Sequence, residues 1–302
     1  MMLRILATDG IDKSAVEQLT AMGHEVVQQY YEPEVLGEAL KEFDVVIIRS
    51  KTKIKAPIID ATLGGKLKMI IRAGVGVDNI DVKYAEEKGI KVRNTPNSSS
   101  ASVAELAIGH MFVISRFIAI SNVTMRNGEW NKKEYNGFEL SGKTLGLIGF
   151  GRIAKETAKR AKALGMDVCY TKPSGRVEGF DEYEFCSMED LLKKSDYVSL
   201  HIPFDKEKGA TIKMNELKLM KPSAYLINCA RGGVVCEKDL LEALNQGIIS
   251  GAGIDVFAEE PTKNIELVNH PKVSVTPHVG ATTKEAQKRI GQEIIEVIKV
   301  SF

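Results

Sequence analysis

An apolar run, Leu145 to Ile148, breaks at Gly149-Phe150-Gly151 and passes at once into RIAKETAKRAKALG, whose apolar residues recur at helical spacing. Strand, tight turn and helix in immediate succession constrain the fold more than any other stretch of the chain. Gly149 permits a sharp turn, and Gly151 lets an anion approach the main chain with no Cβ in the way. The free N–H groups and positive dipole end of the new helix then hold a pyrophosphate. Ala154 takes the packing position, where glycine or alanine fits. A turn of this kind near residue 145 of a 302-residue chain leaves room for a whole α/β unit in front of it.

Short β-rich runs mark that unit: LRILAT, HEVVQQ, DVVIIRS, KMIIRAG and IKVRN. Helical segments alternate with them, one with Asp12 as N-cap and another framed by Asp81 as cap and Gly89 as stop. Such alternation predicts a parallel sheet with helices on both faces. The polar, proline-containing NTPNSSSAS marks the first crossing between domains. A second alternating unit starts at Lys143, with strands TLGLIG, DVCYT, DYVSLHI, SAYLINCA, ISGAGIDV and KVSVTP. The final amphipathic helix is followed by no strand and crosses back to the first unit. The expected fold class is therefore α/β, two doubly wound parallel-sheet domains with a cleft between them. A flavodoxin-like substrate domain covers 1–98 plus 284–302, and a Rossmann nucleotide domain covers 99–283. The most apolar stretch, AELAIGHMFVISRFIAI, reads as one long buried helix, and His110 and Arg116 make it too polar to span a bilayer.

Forty-one Lys and Arg against forty Asp and Glu give no field that would draw nucleic acid or an anionic membrane. Cys169, Cys186, Cys229 and Cys236 show no metal-ligand spacing, so no metal is expected, and they read as reduced thiols. MMLRILATDG is a strand entering a turn, with no export signal, which points to the cytoplasm.

In an open α/β sheet, ligands sit beyond the carboxyl ends of the strands. Three such ends in the second unit hold reactive residues: Arg231 in LINCARGGVV, Asp255 and Glu260 in AGIDVFAEEP, and His278 in VSVTPHVGA. Arg231 offers a planar fork of donors matched to a carboxylate. His278 can exchange a proton near neutral pH. A carboxylate such as Glu260, bonded to the ring, would fix its tautomer and stabilise its protonated form. Beside a nicotinamide, a cation, an imidazole and an acid make a site that interconverts 2-hydroxy and 2-keto acids.

LGLIGFGRIA, LINCARGGVV, GIDVFAEEP and TPHVGA together resemble the D-isomer-specific 2-hydroxyacid dehydrogenase family along nearly the whole chain. The resemblance implies Arg231 as binder of the acid, Glu260 (the acid immediately before the proline, not Glu259) as partner, and His278 as acid/base. It places cofactor contacts on Gly149, Gly151, Arg152, Ile153, Lys172, Ile202, Pro203, Cys229, Ala230, Asp255 and Gly280. Within the family, IIRSKTKI, IRAGVGVDNID and NTPNSSSASVAEL are most similar to D-3-phosphoglycerate dehydrogenases. Arg49, Lys51 and Arg72 then form a cation cluster suited to a phosphorylated hydroxy acid, and the N–H groups of Val75 and Gly76 suit its carboxylate. Asn97 joins these substrate contacts and lies at the hinge. A glyoxylate/hydroxypyruvate reductase of the same family and a cofactor-sensing scaffold are the alternatives. NAD is the expected cofactor, although Lys172 stands where NAD-using relatives carry an acid, which admits NADP. His201 reads as structural. A homodimer through 101–140 is expected, without the C-terminal regulatory domain of longer phosphoglycerate dehydrogenases.

Overall fold

In the computed structural model, which describes all 302 residues, the β-branched runs of the first hundred residues pair in parallel. β1 (Arg4–Ala7), α1 (Lys13–Ala21), β2 (Glu25–Val27), α2 (Pro33–Leu40), β3 (Val45–Ile48), α3 (Ala56–Ala61), β4 (Met69–Arg72), α4 (Val82–Glu87) and β5 (Lys91–Asn94) follow in turn. The sheet order is β2-β1-β3-β4-β5. This is the flavodoxin-like order, whose switch point falls between β1 and β3. The segments that leave those two strands, Thr8-Asp9 and Arg49, therefore meet at the natural ligand crevice of this unit.

The second unit opens with α5 (Ser100–Arg116) and α6 (Ile118–Arg126). Then come β6 (Thr144–Ile148), α7 (Arg152–Ala163), β7 (Asp167–Thr171), β8 (Glu184–Phe185), α8 (Met188–Lys194), β9 (Tyr197–Leu200) and α9 (Met214–Leu219). It ends with β10 (Tyr225–Asn228), α10 (Glu237–Asn245), β11 (Gly251–Ile254), α11 (Ile265–Val268) and β12 (Val273–Val275). The order β12-β11-β10-β9-β6-β7-β8 is all parallel and switches between β6 and β9, beside the glycine turn. Val103, Ala107, Ile108 and Met111 of α5 close one face against Leu145, Leu147 and Ile227. The last helix, α12 (Lys284–Ser301), belongs with the first unit, where Ile290, Ile294, Ile295 and Ile298 pack on Leu3, Ile5, Val45, Ile47 and Met69. The compact units are 1–99 with 281–302, and 100–280, one and three residues from the boundaries read in the sequence.

Three local readings are corrected. The apolar stretch after Ala104 is two helices, because Phe117 takes φ 56° and turns the chain by 61°. The second of them buries nothing and exposes Ile118, Ile120, Val123 and Met125. No single helix is long and apolar enough to cross a membrane. Asp81 does not cap its own helix; its carboxylate accepts from the Ala56 N–H at the start of α3 (2.9 Å) and from Lys55 Nζ (2.9 Å). The two-residue β8 has no counterpart among the expected strands.

One polar device recurs in both units. Asp44, entering β3, accepts from the Arg4 N–H (3.0 Å) and Lys68 Nζ (2.9 Å). Asp196, entering β9, accepts from the Thr144 N–H (2.9 Å) and Lys221 Nζ (2.9 Å). Each acid ties the start of a first strand to a neighbouring one. Burial opposes ionisation of Asp196, but the Thr144 N–H and the Lys221 ammonium outweigh it and hold the carboxyl below its ordinary range. Asp196→Asn should cost about 2 kcal/mol, the typical value of hydrogen bonds to a charged group. A group held below its unfolded pKa stabilises fully above that value and loses its contribution as pH falls through the folded one. The melting gap between wild type and variant should thus be full at neutral pH and shrink below about pH 4, the ordinary carboxylate range. A gap that stays constant into acid would refute this role.

Candidate active site

The glycine turn has the properties that a pyrophosphate needs. Gly149 sits at φ 89°, and a Cβ there would lie 2.5 Å from the His201 carbonyl oxygen. A Cβ on Gly151 would meet nothing within 4 Å, so the main chain is open on the ligand side. α7 starts with no side-chain cap and no acid in its first turn, leaving its first N–H groups to an anion. Arg152 and Ile153 are its first two residues, and Ala154 is fully buried beneath it. Ile202 borders Gly149, with Pro203 next in the chain. Lys172 follows the last residue of β7 and makes no ion pair, whereas the nearby Arg176 is paired with Asp181 at 2.5 Å. Burial pushes the His201 ring down to about 3, and its Nε2 lies 3.0 Å from Ser199 Oγ, so it stays neutral at physiological pH.

At the other strand ends, Arg231, Glu260 and His278 come together. His278 Nδ1 lies 2.7 Å from Glu260 Oε2, each side chain about a third exposed, and Nε2 makes no hydrogen bond. Glu260 Oε1 accepts from the Phe257 N–H at 3.1 Å. Burial opposes its ionisation, but the His278 bond, the Phe257 N–H and the Arg231 charge together hold its carboxyl below the ordinary range. Arg231 Nη1 donates to the Ala230 carbonyl (2.6 Å), and Asn228 braces the bend through the Ala230 N–H and the Arg231 carbonyl. His278 itself takes φ 54°, a left-handed conformation uncommon outside glycine, secured by its N–H on the Asp255 carbonyl (2.8 Å).

Asp255, expected as a cofactor contact, also has a structural use. It is 1% exposed, and its oxygens accept from Thr276 Oγ1 (2.6 Å), the Val279 N–H (2.8 Å) and the Gly280 N–H (2.9 Å). It clamps the loop that carries His278. Cys229 and Ala230 are buried, and burial pushes the Cys229 thiol up, so it is no nucleophile at neutral pH.

The family model described as D-isomer specific 2-hydroxyacid dehydrogenase, NAD binding domain, fits residues 108–280, more than half of the chain. The chain belongs to this family. Among curated dehydrogenases of this kind it is 44% identical to the hydroxypyruvate reductase of Thermotoga maritima, over 98% of this chain and 97% of that one. It is 43% identical to the D-3-phosphoglycerate dehydrogenase of Methanocaldococcus jannaschii, but covers 99% of itself and only 57% of that protein. The structure of the NADPH-dependent glyoxylate/hydroxypyruvate reductase of Sinorhizobium meliloti with NADP and malonate superposes with a TM-score of 0.86 at 28% identity, covering 98% of this chain and 94% of that one.

In this dehydrogenase the first unit holds the cations less uniformly than its sequence implies. Arg49 makes no side-chain hydrogen bond or ion pair, while its N–H donates to Asp9 at 2.6 Å. Lys51 places its ammonium 3.6 Å above the Tyr30 ring. Arg72 folds over Gly74 and donates to the Ala73 carbonyl (3.1 Å). The Val75 and Gly76 N–H groups have no acceptor in the chain, while the Val75 carbonyl accepts from Asn94. Asn97 is held by Glu293 of α12 through its N–H (3.2 Å) and its amide (2.9 Å). Asp9 and Asn79 were missed: Asp9 also binds Thr52, and Asn79 holds the Arg49 and Thr52 carbonyls. An acid two residues past the first strand, at a switch point, was the available signal.

Proposed function

We propose that this dehydrogenase interconverts D-3-phosphoglycerate and 3-phosphohydroxypyruvate. The His278–Glu260 pair, with Nε2 left open and the Arg231 charge acting on Glu260, carries the reaction class. A dinucleotide held at the glycine turn supplies the hydride acceptor for oxidation and the donor for reduction. Arg231 binds the substrate carboxylate with its fork of donors. His278 Nε2 takes the proton from the 2-hydroxyl in oxidation and returns it to the keto oxygen in reduction. Glu260 is a positioning residue: it accepts the Nδ1 hydrogen, fixes the tautomer and faces the positive ring. The unpaired Arg49 at the β1/β3 switch point supports a phosphate on the substrate. The proposed homodimer would cover the exposed apolar face of α6.

A second reading is an NADPH-dependent hydroxypyruvate reductase. Lys172, free of ion pairs where an acid would bind ribose hydroxyls, favours a 2′-phosphate. Initial rates with NADH and NADPH, each against 3-phosphohydroxypyruvate and hydroxypyruvate, separate the two. Arg49→Ala should raise KM for the phosphorylated acid about 50-fold, the loss of one charge-assisted phosphate contact, and leave hydroxypyruvate nearly unaffected. Equal effects on both acids would transfer the assignment to the second reading.

A further inference from the structure

His110 lies on α5 and is 2% exposed. Its ring crosses the β11–β12 pair at the rung where Gly253 faces Ser274, and a Cβ on Gly253 would lie 2.7 Å from the His110 Cβ. Nδ1 is 2.9 Å from Ser274 Oγ, and Nε2 is 3.1 Å from Thr276 Oγ1. Both hydroxyls belong to the segment that leads into the His278 loop.

One constraint settles the direction of every bond. Thr276 Oγ1 is 2.6 Å from Asp255 Oδ1, and a carboxylate oxygen only accepts, so the Thr276 proton points at Asp255. Thr276 can then only accept from His110, and the hydrogen of that ring is on Nε2. Nδ1 is bare and accepts from the Ser274 hydroxyl. Burial lowers the ring's proton affinity against the opposing pull of Asp255, which keeps it neutral. The chain of donors therefore runs Ser274, His110, Thr276, Asp255. Asp255 in turn holds the N–H groups of Val279 and Gly280, directly after His278.

We propose that His110 is a positioning residue for His278, acting through Thr276 and Asp255 without touching substrate. This rests on the 2-hydroxyacid dehydrogenase reading of the site. A threonine hydroxyl has alternative rotamers and acceptors, and the Nε2 hydrogen of His110 pins it to one. With that pin, Asp255 Oδ1 is fully bonded, and the loop stays in the left-handed turn that aims His278. Without it the imidazole is misplaced, which slows proton exchange more than it weakens substrate binding, since Arg231 is held independently in the turn after β10, braced by Asn228 and the Ala230 carbonyl.

Two substitutions of similar polarity separate the two ring nitrogens. His110→Gln places an amide near the Nε2 position and can still donate to Thr276. His110→Asn reaches only the Nδ1 position and keeps the Ser274 bond alone. With hydroxypyruvate and either reduced nicotinamide cofactor, His110→Asn should lower kcat about 10-fold or more, with KM within about threefold, as small misplacements of reacting groups do. His110→Gln should keep most of kcat. Thr276→Val should copy the asparagine variant and Thr276→Ser the wild type, which covers the case of a poorly folding His110 variant. A kcat that falls equally in Gln and Asn, or that follows melting temperature alone, overturns the proposal.

Histidine ring ¹⁵N–¹H spectra give an answer independent of turnover. They should show His110 protonated on Nε2, and His278 ring signals displaced in the Asn variant but not in the Gln variant. A proton on Nδ1 of His110, or unmoved His278 signals in the Asn variant, also overturns it. Absence of turnover by the wild-type protein with every 2-keto acid would sink the functional reading instead, and the spectra alone would then decide this one.

Discussion

His278→Asn should lower kcat by about three orders of magnitude, the middle of the range for a lost general acid/base. Asparagine is the informative replacement because position 278 sits at φ 54°, where asparagine is tolerated and alanine is strained. It keeps the loop's backbone bond to the Asp255 carbonyl and cannot exchange a proton near neutral pH. Cofactor affinity, read by fluorescence of the bound reduced nicotinamide, should stay within about threefold, since the glycine turn proposed to hold the pyrophosphate lies between β6 and α7. The melting temperature should barely move. A variant that keeps a tenth of wild-type kcat would remove His278 from proton transfer. Lost cofactor binding would mean that the loop collapsed, and the kinetic loss would say nothing about protons.

Legibility followed the range of the interactions. Strand and helix alternation was readable because each element's apolar pattern is local, and both sheet orders then obey the switch-point rule. The break at Phe117 was not, because apolar spacing continues through it and a single left-handed residue makes the turn. Asp81 obeys the local capping rule by position, yet a distant helix end competes for its carboxylate and wins. At the site, Arg231, Glu260 and His278 were readable as strand-end residues. Asp255 was recognised as a site residue, but its clamp on Val279 and Gly280 bridges some two dozen residues and appears only in three dimensions. His110 read as no more than an interruption in an apolar helix, since both its partners lie on β12 and the segment after it. Lys51 looked like a phosphate ligand by composition, and the aromatic ring of Tyr30 gave it another partner.

Arg231 separates charge from shape, and two substitutions there should diverge. Arg231→Lys keeps a cation but loses the fork, so KM for the 2-keto acid should rise about 30-fold while kcat falls only modestly. Arg231→Ala loses both, and kcat/KM should drop by about three orders of magnitude, comparable to truncating one partner of a buried charge pair. The pH profiles should divide the same way. The Glu260 carboxyl is held below its ordinary range by the His278 bond, the Phe257 N–H and the Arg231 charge, against the effect of burial. It is therefore ionised at neutral pH and takes a proton only as pH falls. Once protonated it no longer faces His278 as an anion, so activity should be lost on the acid side. Removing the Arg231 charge lets that protonation occur at higher pH. The acid limb of kcat should move up in Arg231→Ala and stay in place in Arg231→Lys. An acid limb that shifts equally in both variants would mean that Glu260 does not sense the Arg231 charge, and the three side chains would not act as one site.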